Sequence, residues 1–298
     1  MAAEILTVRG KQLSLDREPT TKRPLRAWDA ADALLIDLLV GEHLDALSIS
    51  ATSRILVVGD RFGALACGLH GFNPVVCMDS AAGREALSRN LAANHLAPIE
   101  AHSVLDLAAL ASAGEAFDVV AIKVPKSTAA LVDISHRIRP LLASGSVVVA
   151  AGMDKHLAES TTNTLESIIG PTTRHRATKR ARHFVTTPNL DMDPGPNPWP
   201  KQWRAHGATL ENHGGSFSPA KLDSGTGFLL DNVADFVSFA DVDAASLRIV
   251  DLGCGNGVIG LRAARDAADR DVEAEVLAID DSALAIACLL YTSDAADE

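Results

Sequence analysis

The sequence VDLGCGNGVIG at residues 250–260 is the strongest indication of the fold. An apolar, β-branched run enters a turn with three glycines at alternate positions, and a small, apolar helical pattern follows over residues 258–267. The next apolar run, residues 276–280, ends in an acid, Asp280. Strand, glycine turn, helix, strand and acid in this order predict a βαβ unit of a parallel sheet covered by helices.

The same pattern occurs 194 residues earlier in the chain, beginning with RILVVGDRFG at residues 54–63 and reaching a second run that ends at Asp79. Further buried strands are predicted over 117–122 and 145–151, so the first copy forms a full domain. Only 51 residues remain from Arg248 to the end, and two strands leave unpaired edges. We therefore expect an α/β protein with two tandem doubly wound, Rossmann-like domains, the first complete and the second cut short.

The domain boundaries follow from composition. Residues 191–203 (DMDPGPNPWPKQW) are rich in proline and glycine and predict a linker without regular structure. We expect a first domain over 1–190, a linker over 191–216 and the start of a second domain over 217–287. The last eleven residues, 288–298 (CLLYTSDAADE), resemble an in-frame translation of a sequencing adapter, which predicts a non-native tail; a natural acidic tail is the alternative.

Composition excludes several classes of protein. Hydrophobic residues make up 47% and charged residues 22%, which is typical of a globular chain rather than a disordered one. No apolar run has the length of a membrane helix, and the N-terminus has no signal-peptide core. Four cysteines without a C-x-x-C pair and ten histidines without a paired spacing predict no metal site and a reducing, cytoplasmic environment.

A net charge of −11 does not attract nucleic acid, so any RNA contact needs a local basic patch. The segment from 174 to 182 provides one, and its candidate RNA-binding residues are Arg174, Arg176, Lys179, Arg180 and Arg182. Lys123 and Lys126 could extend the patch. The alternative is a solvated hairpin edge, where positive charges discourage aggregation.

The second glycine turn has the chemistry of a nucleoside site. Glycines allow a tight turn and let a ligand approach main-chain N–H groups. The spacing is G-x-G-x-G rather than that of dinucleotide-binding proteins. Asp280 can accept hydrogen bonds from a ribose diol, and Asp251 can accept from backbone donors or reach a positively charged ligand group.

Residues 250–260 resemble the first motif of the class I S-adenosylmethionine-dependent methyltransferases. More narrowly, the chain resembles the bacterial ribosomal RNA guanine-N2 methyltransferases of the methyltransferase small domain type. The narrower resemblance is carried by FSPAKLDSGT at 217–226, RAWDAAD at 26–32 and WPK at 199–201. It implies a degenerate N-terminal methyltransferase domain followed by an active one, with S-adenosylmethionine as cofactor and ribosomal RNA as partner.

The resemblance also implies roles for individual residues. Gly253, Gly255 and Gly257 would pack against the methionine and sugar portions of the cofactor. Asp251 would face its amino end and Asp280 its ribose hydroxyls. Phe217, Asp223 and Thr226 would line or close the same site, although Asp223 and Thr226 are also suited to cap the helix that follows.

The family's catalytic Asn-Pro-Pro-aromatic motif is absent from this chain, so no catalytic residue is assigned. The first domain has IKVPK at 122–126 in the corresponding place, and Arg61 and Phe62 stand between its two turn glycines. We expect the natural protein to methylate guanine N2 in ribosomal RNA and this chain to be inactive. Two alternatives remain: a non-catalytic RNA-binding scaffold, or a methyltransferase that acts on a protein or a small molecule.

Overall fold

The computed structural model describes residues 4–17, 25–41, 49–232 and 246–294. The chain divides into two compact units, residues 1–197 and 198–298. We call them unit 1 and unit 2 and describe each by itself. The change from one unit to the next falls within the segment 191–203, where proline and glycine are concentrated.

Unit 1 contains a hairpin, a central sheet and the helices that cover the sheet. Its strands are β1 (Glu4–Val8), β2 (Lys11–Leu15), β3 (Ile55–Val58), β4 (Val75–Cys77), β5 (Ala101–His102), β6 (Phe117–Lys123), β7 (Leu142–Met153), β8 (Thr172–Arg174) and β9 (Ala181–Thr186). Its helices are α1 (Ala30–Val40), α2 (Ala64–Gly68), α3 (Ala81–Ala93), α4 (Leu107–Ser112), α5 (Thr128–Ile138) and α6 (Thr161–Ile168).

The central sheet of unit 1 has seven strands in the order β5-β4-β3-β6-β7-β9-β8. Every residue of β3 is buried, because the sheet is covered on both faces, and this explains its unbroken apolar sequence. The strands from β5 to β7 are parallel, as the repeat predicts, but β9 is antiparallel to both its neighbours. The sheet is therefore mixed, since β8 and β9 join as a hairpin instead of through a crossover helix.

Unit 2 contains the hairpin β10 (Lys201–Ala205) and β11 (Ala208–Asn212), followed by α7 (Ser224–Asp231), β12 (Ser246–Leu252), α8 (Val258–Ala268), β13 (Glu273–Ile279) and α9 (Ala283–Asp294). Strands β12 and β13 pair in parallel from Ser246–Glu273 to Leu252–Ile279, as the second copy of the repeat predicts. Apolar side chains on these strands are exposed, among them Leu252 at 80% and Val250 at 61%.

The segment predicted as a linker, 191–216, is not wholly irregular, because β10 and β11 lie inside it. His206 and Gly207 form the two-residue turn of this hairpin, both with positive φ (48° and 78°). Turns of this kind match the twist of paired strands. The prolines immediately before the hairpin led to the prediction of an irregular linker, so the two strands were not recognised in the sequence.

Among the described residues, every helix is too short or too polar to cross a bilayer.

Candidate functional site

The glycine turn of unit 2 lies at the carboxyl ends of its two parallel strands. The backbone N–H groups of Gly253 and Cys254 donate to the carbonyl of Ile279, over 2.7 and 3.1 Å. Gly253, Gly255 and Gly257 all have positive φ, at 77°, 55° and 81°. Because side chains disfavour this region, the alternating glycines are what allow the chain to turn here.

The three glycines differ in how much space lies on the side where a Cβ atom would be. A Cβ atom added at Gly253 or Gly255 would meet no atom within 4 Å, so both positions face open space. A Cβ at Gly257 would overlap the side chain of Leu289. The resemblance assigned all three glycines to the cofactor. Gly253 and Gly255 face open space, whereas Leu289 of α9, which lies in the segment predicted to be a non-native tail, packs against Gly257.

Asp280 supports the turn from the end of β13. Its Oδ2 accepts a hydrogen bond from Gly255 N over 2.9 Å, and its Oδ1 accepts one from Ser282 N over 2.9 Å. A carboxylate oxygen has two lone pairs, so each can accept a second hydrogen bond. The half-buried side chain therefore fixes the open part of the turn and retains acceptor capacity for ligand hydroxyls.

Asp251 is buried at the end of β12, and its Oδ2 accepts a hydrogen bond from Gly260 N over 2.9 Å. Burial raises the pKa of Asp251, and the nearby Asp280 carboxylate adds to the increase. The resemblance placed Asp251 at the amino end of a cofactor. In the structure its carboxylate holds the first turn of α8, which is the backbone role that the residue pattern also allowed.

A cleft runs beside the open glycines and brings together five of the eight predicted cofactor residues. Phe217 lines this cleft, and 78% of its surface is exposed. Asp223 caps α7 by accepting from Gly225 N and Thr226 N, over 2.9 and 3.1 Å, so its capping role and its place in the cleft coincide. The cleft is lined by Phe217, Ser218, Lys221, Leu222, Asp223, Thr226, Gly253, Cys254, Gly255, Asn256, Val258 and Ile259.

Sequence reasoning missed several residues of this cleft. Lys221 and Leu222 lie inside the quoted 217–226 segment and could have been found there. Asn256 lies between two turn glycines, which was a usable signal as well. Its Nδ2 donates to Asn212 Oδ1 over 3.1 Å, and nothing in the sequence indicates a contact with a residue so far away along the chain.

The corresponding turn in unit 1 is filled by the protein itself. A Cβ added at Gly59 would lie 2.9 Å from the Lys123 carbonyl oxygen, and one at Gly63 would lie 2.9 Å from Leu87 Cα. Phe62 is buried between these glycines. Here glycine is required by close packing of backbone atoms, and neither position faces open space.

Lys123 does not extend the basic patch, contrary to one possibility raised by the sequence. Its ammonium group forms ion pairs with Asp29, over 3.1 Å, and with the fully buried Asp32. Burial lowers the pKa of Lys123, but the two carboxylates outweigh this effect and raise it overall. Burial raises the pKa of Asp32 to about 6. Lys126, in contrast, is exposed.

The basic segment forms the hairpin of β8 and β9 at the edge of the unit 1 sheet. Arg174, Arg176, Lys179 and Arg180 are exposed. Arg182 differs: it donates to Asp154 Oδ1 over 2.6 Å and to the His175 carbonyl over 2.7 Å, and its hydrogen bond lowers the pKa of Asp154. Arg182 therefore holds the hairpin together, whereas the other four present their charge to solvent.

Within the described ranges, no group of three or more His, Cys, Asp and Glu side chains could hold a metal ion.

Comparisons with known proteins agree with the division of the chain. The family described as the RLMG N-terminal domain matches residues 3–190, and the methyltransferase small domain matches residues 207–297. The chain is 39% identical to the ribosomal RNA large subunit methyltransferase G of Streptomyces avermitilis over 282 residues, covering 92% of this chain and 69% of that protein. The protein of the same name from Aeromonas hydrophila is 37% identical, with coverages of 93% and 69%.

Among solved structures, the 16S rRNA N2 methyltransferase RsmC of T. thermophilus, in complex with AdoMet and guanosine, is similar in fold. The TM-score is 0.70 at 20% sequence identity, and the match covers 99% of this chain and 72% of that one.

Proposed function

Because the chain belongs to the ribosomal RNA large subunit methyltransferase G family, we propose that unit 2 binds S-adenosylmethionine and that the protein serves methylation of a guanine N2 amine in ribosomal RNA. The names of the relatives support ribosomal RNA as the substrate. The N2 position is supported by the T. thermophilus protein of similar fold, which is a 16S rRNA N2 methyltransferase.

The open glycine turn is the observation that carries this proposal. Gly253 and Gly255 offer space that a Cβ would fill, and Asp280 lies directly against the second of them. These features fit a nucleoside whose ribose hydroxyls donate to the Asp280 carboxylate. When bound, the cofactor supplies the activated methyl group. The exposed ring of Phe217 at the cleft would cover the ligand and exclude water.

Unit 1 is, in this proposal, a degenerate methyltransferase domain that binds no cofactor. Its glycine turn has no open side, since Lys123 and Leu87 backbone atoms occupy the places where a ligand would approach. Lys123 is the last residue of β6, and its side chain is held in an ion pair with the buried Asp32. Unit 1 instead provides a surface for RNA.

That surface is the hairpin of β8 and β9. Arg174, Arg176, Lys179 and Arg180 are exposed there and can neutralise phosphates despite the negative charge of the whole chain. This exposure also favours the second candidate function, a non-catalytic RNA-binding scaffold. The two candidates differ in one property, since a scaffold has no need of the cofactor.

Calorimetric titration of the chain with S-adenosylmethionine tests the cofactor site. We expect saturable binding, and we expect Asp280→Ala to weaken it by roughly tenfold or more, because a charged acceptor is lost. Glu273→Gln, at the opposite end of the same strand, is the matched control and should bind as the unsubstituted chain does. Absence of binding heat, or equal affinity of Asp280→Ala, would refute the assignment.

A further inference from the structure

The side chain of Asn212 connects two segments that line the cleft of unit 2. Asn212 is the last residue of β11 and is fully buried. Its Oδ1 accepts a hydrogen bond from Asn256 Nδ2 over 3.1 Å, and its Nδ2 donates to the Ser218 carbonyl over 3.4 Å. Asn256 belongs to the glycine turn, and Ser218 belongs to the segment before α7.

The amide oxygen of Asn256 also has a hydrogen-bond partner, which fixes the orientation of the side chain. Its Oδ1 accepts from Val258 N over 3.4 Å, at the start of α8, so its Nδ2 is directed toward Asn212. A side-chain amide provides a donor and an acceptor at once, and a buried one is costly unless both are used. No apolar residue of similar size could make both connections.

We propose that Asn212 is a positioning residue for cofactor binding. Its two hydrogen bonds hold the glycine turn and the 217–223 segment at a fixed distance from each other. The proposal rests on the proposed function, because it assumes that the cleft takes S-adenosylmethionine. Asn212 is buried and does not line the cleft, so it acts through Asn256 and Ser218 and not by touching the ligand. The β10–β11 hairpin is thereby part of the site.

The test is a double-mutant cycle on S-adenosylmethionine affinity, measured by calorimetry at a temperature where every variant gives the circular dichroism spectrum of the folded chain. Asn212→Leu and Asn256→Ala should each weaken binding by about tenfold, the value of a lost hydrogen bond. If Asn212 acts mainly through Asn256, the double variant should be little weaker than Asn256→Ala alone. Asn256→Gln keeps the donor and should recover part of the loss.

Gln202→Leu is the control, because it removes the hydrogen bond between Gln202 Nε2 and Glu211 Oε2 in the same hairpin without touching the cleft. It should leave the affinity unchanged. If Asn212→Leu fails to fold, the comparison of Asn256→Ala with Asn256→Gln decides, and equal affinities would overturn the proposal. An Asn212→Leu variant that folds and binds S-adenosylmethionine as tightly as the unsubstituted chain would also overturn it. If the unsubstituted chain binds no S-adenosylmethionine, the proposed function itself fails, which is a distinct result.

Discussion

At the scale of single residues, the two glycine turns differ in the position of the buried aspartate that accepts hydrogen bonds from the following helix. In unit 1, Asp60 lies within the turn and accepts from Gly63 N and Ala66 N, over 3.0 and 2.9 Å. In unit 2, Asp251 is the next-to-last residue of β12, before the turn begins, and accepts from Gly260 N. Ala66 and Gly260 are the third residues of their helices, so both carboxylates hold the same backbone position. Because Asp251 acts from the strand, the turn of unit 2 is left free for a ligand.

Asp32 gives a prediction on pH dependence. Its pKa is raised by burial from 3.8 to about 6, so the folded state holds the proton more tightly than the unfolded state. The resulting stability is fully present below pH 3.8 and is lost as the pH rises through 6. The Asp32→Asn variant has no carboxyl group at this position, so it lacks this pH-dependent contribution to stability. The difference in free energy of unfolding between the two proteins should therefore change by on the order of 3 kcal/mol between pH 4 and pH 7.

Urea denaturation followed by far-ultraviolet circular dichroism at several pH values measures this difference. Glu166→Gln, which changes an exposed carboxyl group on α6, is the control and should follow the pH profile of the unsubstituted chain. Identical profiles for the unsubstituted chain and Asp32→Asn would show that burial does not control this carboxyl group.

At the scale of elements, the two glycine turns should respond differently to alanine. Gly63→Ala places a Cβ 2.9 Å from Leu87 Cα, so backbone must move, and we expect a loss of about 2–4 kcal/mol in stability. Gly255→Ala has open space and should cost about 1 kcal/mol for its positive φ. Its Cβ fills the space proposed for the cofactor, so S-adenosylmethionine affinity should fall about tenfold.

Thermal melting and calorimetry together separate these effects. Gly71→Ala, where a Cβ meets nothing within 4 Å and φ is not positive, should change neither quantity. A Gly255→Ala variant that binds S-adenosylmethionine normally would mean that the ligand does not approach this side of the turn.

The sequence was sufficient for those elements whose signal is local. The strand, glycine turn and helix of both copies were predicted, because buried strands and glycine turns leave a compact pattern. The β10–β11 hairpin was missed, although His206 and Gly207 mark its turn. Two contacts could not be predicted: Leu289 against Gly257, and Lys123 with Asp32, which lies 91 residues away. Both depend on how separate elements pack, which local composition does not determine.

The basic hairpin gives a prediction on RNA binding. Lys179 and Arg180 stand at its turn, both exposed, so replacing both with glutamine should remove up to two phosphate contacts. We expect weaker binding to a ribosomal RNA transcript and a slope of log K against log salt that is shallower by roughly 1–2. Arg182 is left in place because it pairs with Asp154.

Filter binding over a range of salt concentrations measures the slope. The paired change of Arg89 and Arg204 to glutamine removes the same charge from other exposed positions and is the control. If both double variants lose affinity equally, the hairpin has no special role, and its charges protect a sheet edge instead.

At the scale of the whole molecule, binding and catalysis should be separable. The chain has net charge −11, so its overall field does not attract RNA, and in our proposal the local hairpin of β8 and β9 holds it. The cleft proposed for the cofactor is formed within unit 2 by residues between Phe217 and Ile259. The Asn-Pro-Pro-aromatic motif is absent from the sequence, and the resemblance implies that this motif would hold the guanine amine. Positioning of the acceptor supplies much of the rate in such a transfer.

We therefore expect this chain to bind S-adenosylmethionine and RNA but to transfer no methyl group. The measurement is incorporation of label from tritiated S-adenosylmethionine into unmethylated ribosomal RNA, with the Streptomyces avermitilis relative as the positive control. Counts should equal those of a reaction without protein. Incorporation above that background, abolished by Asp280→Ala, would mean that groups in the described cleft orient the amine without the motif.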